Sequence, residues 1–344
     1  MAPQTMFFMG GTGFIGSAVL QHFLGNPDFE ITVLTRDAGK AKKLTQQFGI
    51  RTVVGSMEVE GDLEMLEAEA AQADVVLQIS IVWAFKAIDA ILRGMKKRSK
   101  ATGKKPILVY TSGGGAIVTD TKALGNYAVN EYRSDVDTEY LVNLPRDHIH
   151  YEGDTKVRLA DEKDGYIRTY IILPSTVWGL LRGPLADAGI GHRHSQPMPA
   201  LIMASIACGQ GGVVGKGLNV WSHIEVHELA ELYRLIVVNA LNDDRFPSGR
   251  EGIYFGENGS YTMIEACKAY SRALFDAGKA RSPEPEAFSK AELQAIGFLA
   301  QYIGASSICR ADRGRALGWK PALGTDDFLA SLRPEVEALL LGSA

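Results

Sequence analysis

The sequence predicts an α/β fold, a Rossmann-type doubly wound parallel sheet followed by a smaller, mainly helical C-terminal domain that binds substrate. Three observations predict it. A short apolar run at residues 5–9 stops at a cluster of glycines. Apolar runs and segments of helical periodicity then alternate through about the first 110 residues. Beyond residue 174 the alternation gives way to loop and helix. Alternation of this kind implies parallel strands joined by crossover helices on both faces. Ligands of such sheets bind beyond the carboxyl ends of the strands.

The elements follow in order. Residues 5–9 read as a buried first strand, and 14–24 as a helix with Ile15, Val19, Phe23 and Leu24 on its apolar side. Strands are expected at 30–34, 51–54, 74–79 and 106–110, with helices at 38–48, 63–71 and 83–102 between them. A helix is expected within 147–164 and a strongly apolar strand at 167–173. Residues 174–199 are rich in glycine and proline, a composition suited to a loop that shapes a pocket. Residues 219–226 read as extended, 227–241 as an amphipathic helix, 252–256 as a short strand, and the rest from 261 as mostly helix. The division expected is a nucleotide-binding domain over 1–174 and a substrate-binding region over 175–344, of which about 215–250 packs back on the first domain.

Composition narrows the function. The 344 residues carry a formal charge of −4 and are 46% hydrophobic, which gives ample core and no reason to expect a nucleic-acid partner. The basic run at 96–100, with Lys104 and Lys105, reads as the solvated end of a helix, because Ile88, Ile91, Leu92 and Met95 precede it at helical spacing. Cys208, Cys267 and Cys309 have no metal or redox spacing, and no metal site is expected. No leader and no membrane-length apolar stretch is visible, so a cytoplasmic protein with no membrane partner is expected.

The glycine cluster is Gly10-Gly11-Thr12-Gly13-Phe14-Ile15-Gly16. One glycine allows a tight turn, a second lets the main chain approach a pyrophosphate, and a third lets helix and strand pack closely. The N–H groups that open the following helix then face the phosphates. At the end of the second strand stand Thr35 and Arg36, where NAD-binding chains usually place an acid. A guanidinium takes a 2′-phosphate with a forked contact, and Lys40 stands one helical turn on, so the cofactor expected is NADP(H). The alternative is a surface Arg36, with Asp37 holding the ribose.

With these residues the chain resembles the extended and atypical short-chain dehydrogenase/reductases, and among them the fungal epimerase/dehydratase-like and NmrA-like proteins. Further pieces carry the likeness: Ala73-Asp74-Val75-Val76, Val109-Tyr110-Thr111-Ser112-Gly113, Pro174-Ser175-Thr176-Val177-Trp178-Gly179, and the stretch from Trp221 to Ala230. The resemblance implies a serine, a tyrosine and a lysine as the catalytic set. Ser112, Tyr151 and Lys156 are the candidates, and the resemblance adds Ser80, Lys156 and Pro174 to the cofactor contacts. It also admits a homodimer formed through helices flanking the sheet.

The spacing departs from the family pattern. The tyrosine should stand four residues before the lysine, where this chain has Glu152. Tyr151 stands five before, roughly 140° around a regular helix from Lys156. The two can act together if Gly153 breaks the helix and Asp154 caps a later start, or if the helix bulges. Otherwise Glu152 and Lys156 form a plain i,i+4 pair. His150, Asp154, Tyr127 and Tyr132 are the substitutes within reach in sequence. The residues His192, Arg193 and His194 form a possible cover over substrate, His223 and His227 read as structural histidines, and Trp83, Trp178 and Trp221 read as packing residues, with Trp178 a candidate pocket wall.

The expected function is an NADP(H)-dependent oxidoreductase that reduces a carbonyl or imine of a hydrophobic small molecule, of the sort met in secondary metabolism. Two other readings stay open. One is a non-redox isomerase or cyclase on the same scaffold, motivated by the displaced tyrosine. The other is an NmrA-like protein that senses NADP(H).

Overall fold

Strand β1 (Gln4–Met9) is buried along its last four residues and lies inside a sheet. Helix α1 (Phe14–Gln21) follows the glycine turn at once and buries Gly16 to Leu20 against the sheet. Next come β2 (Phe29–Thr35), α2 (Ala38–Phe48), β3 (Arg51–Val54), α3 (Leu63–Ala70), β4 (Val75–Gln78), α4 (Phe85–Thr102) and β5 (Ile107–Thr111). The computed structural model describes residues 2–128 and 131–342. The central strands β4 and β5 are buried at every position, the mark of a sheet covered on both faces.

After β5 the chain forms β6 (Tyr132–Ser134), α5 (Thr138–Val142) and α6 (Tyr151–Glu162), then re-enters the sheet as β7 (Arg168–Pro174). It continues through β8 (Thr176–Trp178), α7 (Pro184–Asp187), α8 (Pro197–Cys208), β9 (Gly212–Val213), β10 (Val220–Glu225) and α9 (Val226–Asn242). The last part holds β11 (Ile253–Gly256), β12 (Ser260–Thr262), α10 (Met263–Asp276), β13 (Glu286–Ala287), α11 (Lys290–Ile296), α12 (Leu299–Ile303), β14 (Ile308–Arg310), α13 (Asp312–Ala316) and α14 (Thr325–Gly342).

Seven strands form the main sheet in the order β11-β7-β5-β4-β1-β2-β3, all parallel. The chain starts in the middle and winds outward both ways, so the order reverses between β1 and β4. The crevice at that reversal is where a parallel sheet of this type takes its ligand. The fold is a Rossmann-type doubly wound sheet with a smaller C-terminal part.

The core has two centres. The larger one packs both faces of the sheet and includes Phe7, Phe8, Tyr110, Tyr170 and Phe255. The smaller one gathers Trp178, Met198, Leu201, Tyr261, Tyr270 and Phe328 from the C-terminal part. Each such side chain contributes about 1.5–3 kcal/mol by leaving water. The chain beyond residue 174 does not stay in the smaller centre. Helix α9 packs beside α1, and its Tyr233 hydroxyl meets Thr111 Oγ1 at 2.7 Å under the end of β5. Strand β11 joins the edge of the main sheet next to β7. Asp135 ties these parts together, accepting from the backbone N–H groups of Phe255 and Arg313. No helix among the described residues is long and apolar enough to cross a membrane.

Candidate active site

The turn after β1 is built on two backbone requirements. Gly10 has φ +89°, a left-handed value, and a Cβ there would overlap the Ile79 carbonyl that ends β4. A Cβ on Gly16 would overlap the Gly10 carbonyl. Gly13 caps α1 with no side chain over the helix end, and no acid sits in its first turn. The opening N–H groups of Phe14 and Ile15 are therefore left to a ligand, and the positive end of the helix favours an anion.

These residues border a cleft of about 760 Å³. Gly10, Thr12, Gly13, Phe14 and Ile15 line its floor; Thr35, Arg36 and Lys40 line one end, and Ser80, Ser112 and Pro174 line the other. Gly11 lies beneath, packed against Leu20 of α1 and Val33 of β2, and Gly16, inside α1, lies against the Gly10 carbonyl. Asp37 also borders the cleft, but its Oδ1 accepts from the backbone N–H groups of Gly39 and Lys40 at 2.7 and 3.0 Å. Those bonds cap α2 and hold the carboxyl below its usual range. The Arg36 side chain is 71% exposed, and its guanidinium donates to Glu58 Oε2 at 3.3 Å. An exposed pair of this kind contributes under about 1 kcal/mol and yields easily to a phosphate. The bare helix end, the two glycines and the two cations fit a dinucleotide with its phosphates along the turn.

A strap formed by residues 182–197 closes the cleft from above. His192 N–H donates to the Thr12 carbonyl at 3.1 Å, and Lys43 Nζ donates to the Ala188 carbonyl at 2.8 Å. Gln21 bonds both the Arg182 carbonyl and the Leu185 N–H. The strap is tied to the C-terminal helix by His194 Nδ1 and Glu335 Oε1, 2.7 Å apart. His192 and His194 thus stand over the dinucleotide turn as well as near the space for substrate. Glu335, far along the chain and buried, gave no sign of this role in the sequence.

At the other end of the cleft the structure does not assemble Ser112, Tyr151 and Lys156. Helix α6 runs unbroken from Tyr151 through Gly153, so the break and later start considered from the sequence do not occur. Gly153 serves a close approach instead, since a Cβ there would overlap the Tyr110 hydroxyl. This approach turns Asp154 toward Ser112, whose Oγ donates to Asp154 Oδ2 at 2.7 Å. Lys156 follows two residues later, roughly 200° around the helix, and faces α4. There Asp89 holds its Nζ at 2.8 and 2.9 Å, and Glu152 stands at 3.4 Å in the plain i,i+4 pair. Lys156 lies outside the lining of the cleft, so neither its catalytic nor its cofactor role is supported by its position. Tyr151 lines a separate small cavity, its ring edge-on to His148 at 5.8 Å.

One expected result follows from this geometry. Lys156→Ala removes a partly exposed ion pair and is expected to cost under about 1 kcal/mol in denaturant unfolding. It is expected to change turnover by less than about threefold, whereas loss of a lysine that held a nicotinamide ribose lowers rates far more.

Burial shifts the acids and bases around Ser112. Asp154 is only half-buried as a residue, yet its Oδ1 is shielded from solvent and has no hydrogen-bond partner among the described residues. Desolvation pushes its carboxyl up to about 7, against the lowering effects of the Ser112 bond and the Arg158 charge. His150 is buried beside the backbone of Gly113 and Gly115, and burial lowers it to about 4. His223 is structural: it accepts from Trp178 Nε1 at 3.0 Å, meets Thr325 Oγ1 at 3.0 Å and stacks on Phe328. His227 likewise accepts from the Arg182 N–H. Trp178 packs in the smaller core, while Trp83 is 56% exposed on the wall of the cleft. No cluster of three metal-ligating side chains occurs among the described residues.

Comparison with known proteins agrees with this geometry. The family model of the saccharopine dehydrogenase NADP-binding domain matches residues 7–91, which span the glycine turn, Arg36 and β4. Solved structures match almost end to end. A UDP-glucose 4-epimerase of Thermotoga maritima is 16% identical, with a TM-score of 0.63 over 99% of this chain and all of its own. A human epimerase family protein with NADPH is 18% identical, with a TM-score of 0.57 over 97% of this chain and 99% of its own.

The chain shares the Rossmann-type fold of these epimerases.

Among curated proteins, an oxidase of an Acremonium species, ucsJ, is 24% identical over 334 residues, covering 92% of this chain and 93% of its own. An uncharacterized protein of Saccharomyces cerevisiae is 25% identical over 257 residues, covering 73% of this chain and 76% of its own. On this Rossmann-type scaffold the cleft is of the nicotinamide-dinucleotide type. Ser112 directly follows β5, and its hydroxyl donates to the Asp154 carboxyl.

Proposed function

We propose that this protein is an NADP(H)-dependent oxidoreductase that transfers hydride to or from a carbonyl or imine carbon of a hydrophobic small molecule. One observation carries the reading. The Ser112 hydroxyl, backed by the Asp154 carboxyl, opens into the same cleft as the glycine turn, Arg36 and Lys40.

The chain's residues divide the work. The N–H groups of Phe14 and Ile15 bind the pyrophosphate at the end of α1. Arg36 and Lys40 hold the 2′-phosphate, because Asp37 is committed to capping α2. The strap that His194 ties to Glu335 keeps water from the cleft. NADP(H), when bound, supplies or accepts the hydride. Ser112 directs the oxygen or nitrogen of the substrate. Ile81, Val82, Trp83, Val177 and Pro197 give that end of the cleft an apolar wall, which favours a hydrophobic substrate over a sugar nucleotide. The likeness to a fungal oxidase supports redox chemistry of this kind.

The test is NADPH consumption with a panel of aromatic and polycyclic ketones, imines and enones. Reduced-nicotinamide absorbance is expected to fall with at least one class. In Ser112→Ala the rate is expected to drop about 100-fold, with NADPH affinity within about twofold of the parent. Product without NADPH consumption contradicts the redox reading and favours an isomerase or cyclase. NADPH binding without any product favours a sensor.

A further inference from the structure

We propose that Asp154 is the proton store of this site, exchanging one proton with the substrate through the Ser112 hydroxyl. The inference rests on the reading of the Ser112 end of the cleft as the reacting end. It replaces the tyrosine and lysine of the scaffold with a carboxyl group that the sequence pattern does not mark.

The geometry allows one route. Ser112 lines the cleft, and its Oγ lies 2.7 Å from Asp154 Oδ2. Asp154 is not among the cleft-lining residues, so it reaches substrate through Ser112. On its other side Asp154 borders a cavity of about 30 Å³ shared with His148, Tyr151, Thr155 and Arg158. That volume exceeds the roughly 10–15 Å³ that one water needs, and Oδ1 has no partner among the described residues. The cavity has room for one water beside the carboxyl.

The proton step balances as follows for reduction. The O–H bond of the Asp154 carboxylic acid breaks and its proton forms a bond to Ser112 Oγ. The original Ser112 O–H bond breaks and its proton goes to the substrate oxygen, as the substrate carbon takes up hydride. The negative charge that would gather on that oxygen ends on the Asp154 carboxylate, which regains a proton from solvent. Oxidation of an alcohol runs the same bonds in reverse.

The surroundings suit this role. From β5 and the residue after it, the neutral Tyr110 and Ser112 face Asp154; from its own helix comes Arg158, and from the helix cap, one turn earlier, His150. His148 and Tyr151 face it across the small cavity, and Ile171, Leu173 and Ile253 close it with apolar surface. His148 and His150 are both lowered to about 4 by burial, so neither changes charge near neutrality. Lys156, the other cation of α6, is held on the far side by Asp89. Asp154 is thus the group near Ser112 poised to change charge around pH 7.

Infrared difference spectroscopy of the NADP-bound protein, from about pH 5 to about pH 9, reads this directly. The carboxylic-acid band that is lost with a midpoint of about 7 is expected to be missing in Asp154→Asn, while the band of Asp135, which burial pushes up to about 6, stays. In Ser112→Ala the midpoint is expected to move up, because a bond that favours the carboxylate is gone. In turnover, the alkaline fall of kcat/KM for reduction is expected to flatten in Asp154→Asn and to return in part in Asp154→Glu. A spectrum unchanged by Asp154→Asn, or a wild-type pH profile in that variant, overturns the proposal. The infrared result stands apart from substrate choice. An Asp154 that titrates in a protein with no NADPH turnover contradicts the oxidoreductase reading alone.

Discussion

Gly16→Ala is expected to cost about 3 kcal/mol in unfolding free energy and at least about 100-fold in NADPH affinity. The added Cβ would overlap the Gly10 carbonyl, which is backbone and cannot rotate away. Relief requires α1 to move off β1, and that shift withdraws the N–H groups of Phe14 and Ile15 from the phosphates. Gly61→Ala is the matched control, since nothing lies within 4 Å of a Cβ there and its φ is not positive. It is expected to stay within about 0.5 kcal/mol of the parent with cofactor affinity unchanged. Denaturant unfolding and NADPH titration of the two variants check both parts. Equal behaviour would show that the turn tolerates a side chain and that helix and strand do not pack as described.

Asp154→Asn is expected to change the pH dependence of stability. The folded carboxyl titrates at about 7, above the ordinary value of 3.8. A raised value in the fold means that ionisation is easier in the unfolded chain. Stability from this group is therefore fully present below about pH 4 and is lost as pH rises through about 7. The whole swing is on the order of 4 kcal/mol at most, at about 1.4 kcal/mol per unit. Asparagine does not titrate, so the variant is expected to gain a few kcal/mol over the parent at about pH 9 compared with about pH 5. Unfolding curves of both proteins at the two pH values check this. A constant difference between them would place the Asp154 carboxyl in contact with bulk water.

The sequence shows some of these features and hides others for physical reasons. Buried parallel strands such as β4 and β5 are apolar up to their last residues, Gln78 and Thr111, and they read clearly. The glycine turn is equally visible, because only glycine fits Gly10 and Gly16. The reacting end is not visible, because it depends on helix rotation. Periodicity places Tyr151, Asp154 and Lys156 on one helix but does not say which of them faces β5. Gly153 decides that by letting α6 close on the Tyr110 hydroxyl, although a glycine in a helix reads at first as a break. The strap is hidden for another reason. Its contacts join residues such as His194 and Glu335 across 141 positions, and no local pattern links them. Asp37 misleads in the opposite way, since an acid after the second strand suggests a ribose contact while its oxygen caps α2.

The cleft between Arg36 and Ser112 is expected to bind NADP(H). Equilibrium titration of the purified protein with NADPH and with NADH, repeated on Arg36→Ala, tests it most directly. Trp83 on the cleft wall supplies the fluorescence signal. NADPH is expected to bind at least about tenfold tighter than NADH, and Arg36→Ala is expected to weaken NADPH by about 10- to 100-fold while leaving NADH within about threefold. Equal binding of the two cofactors by the parent protein, unchanged in Arg36→Ala, would contradict it.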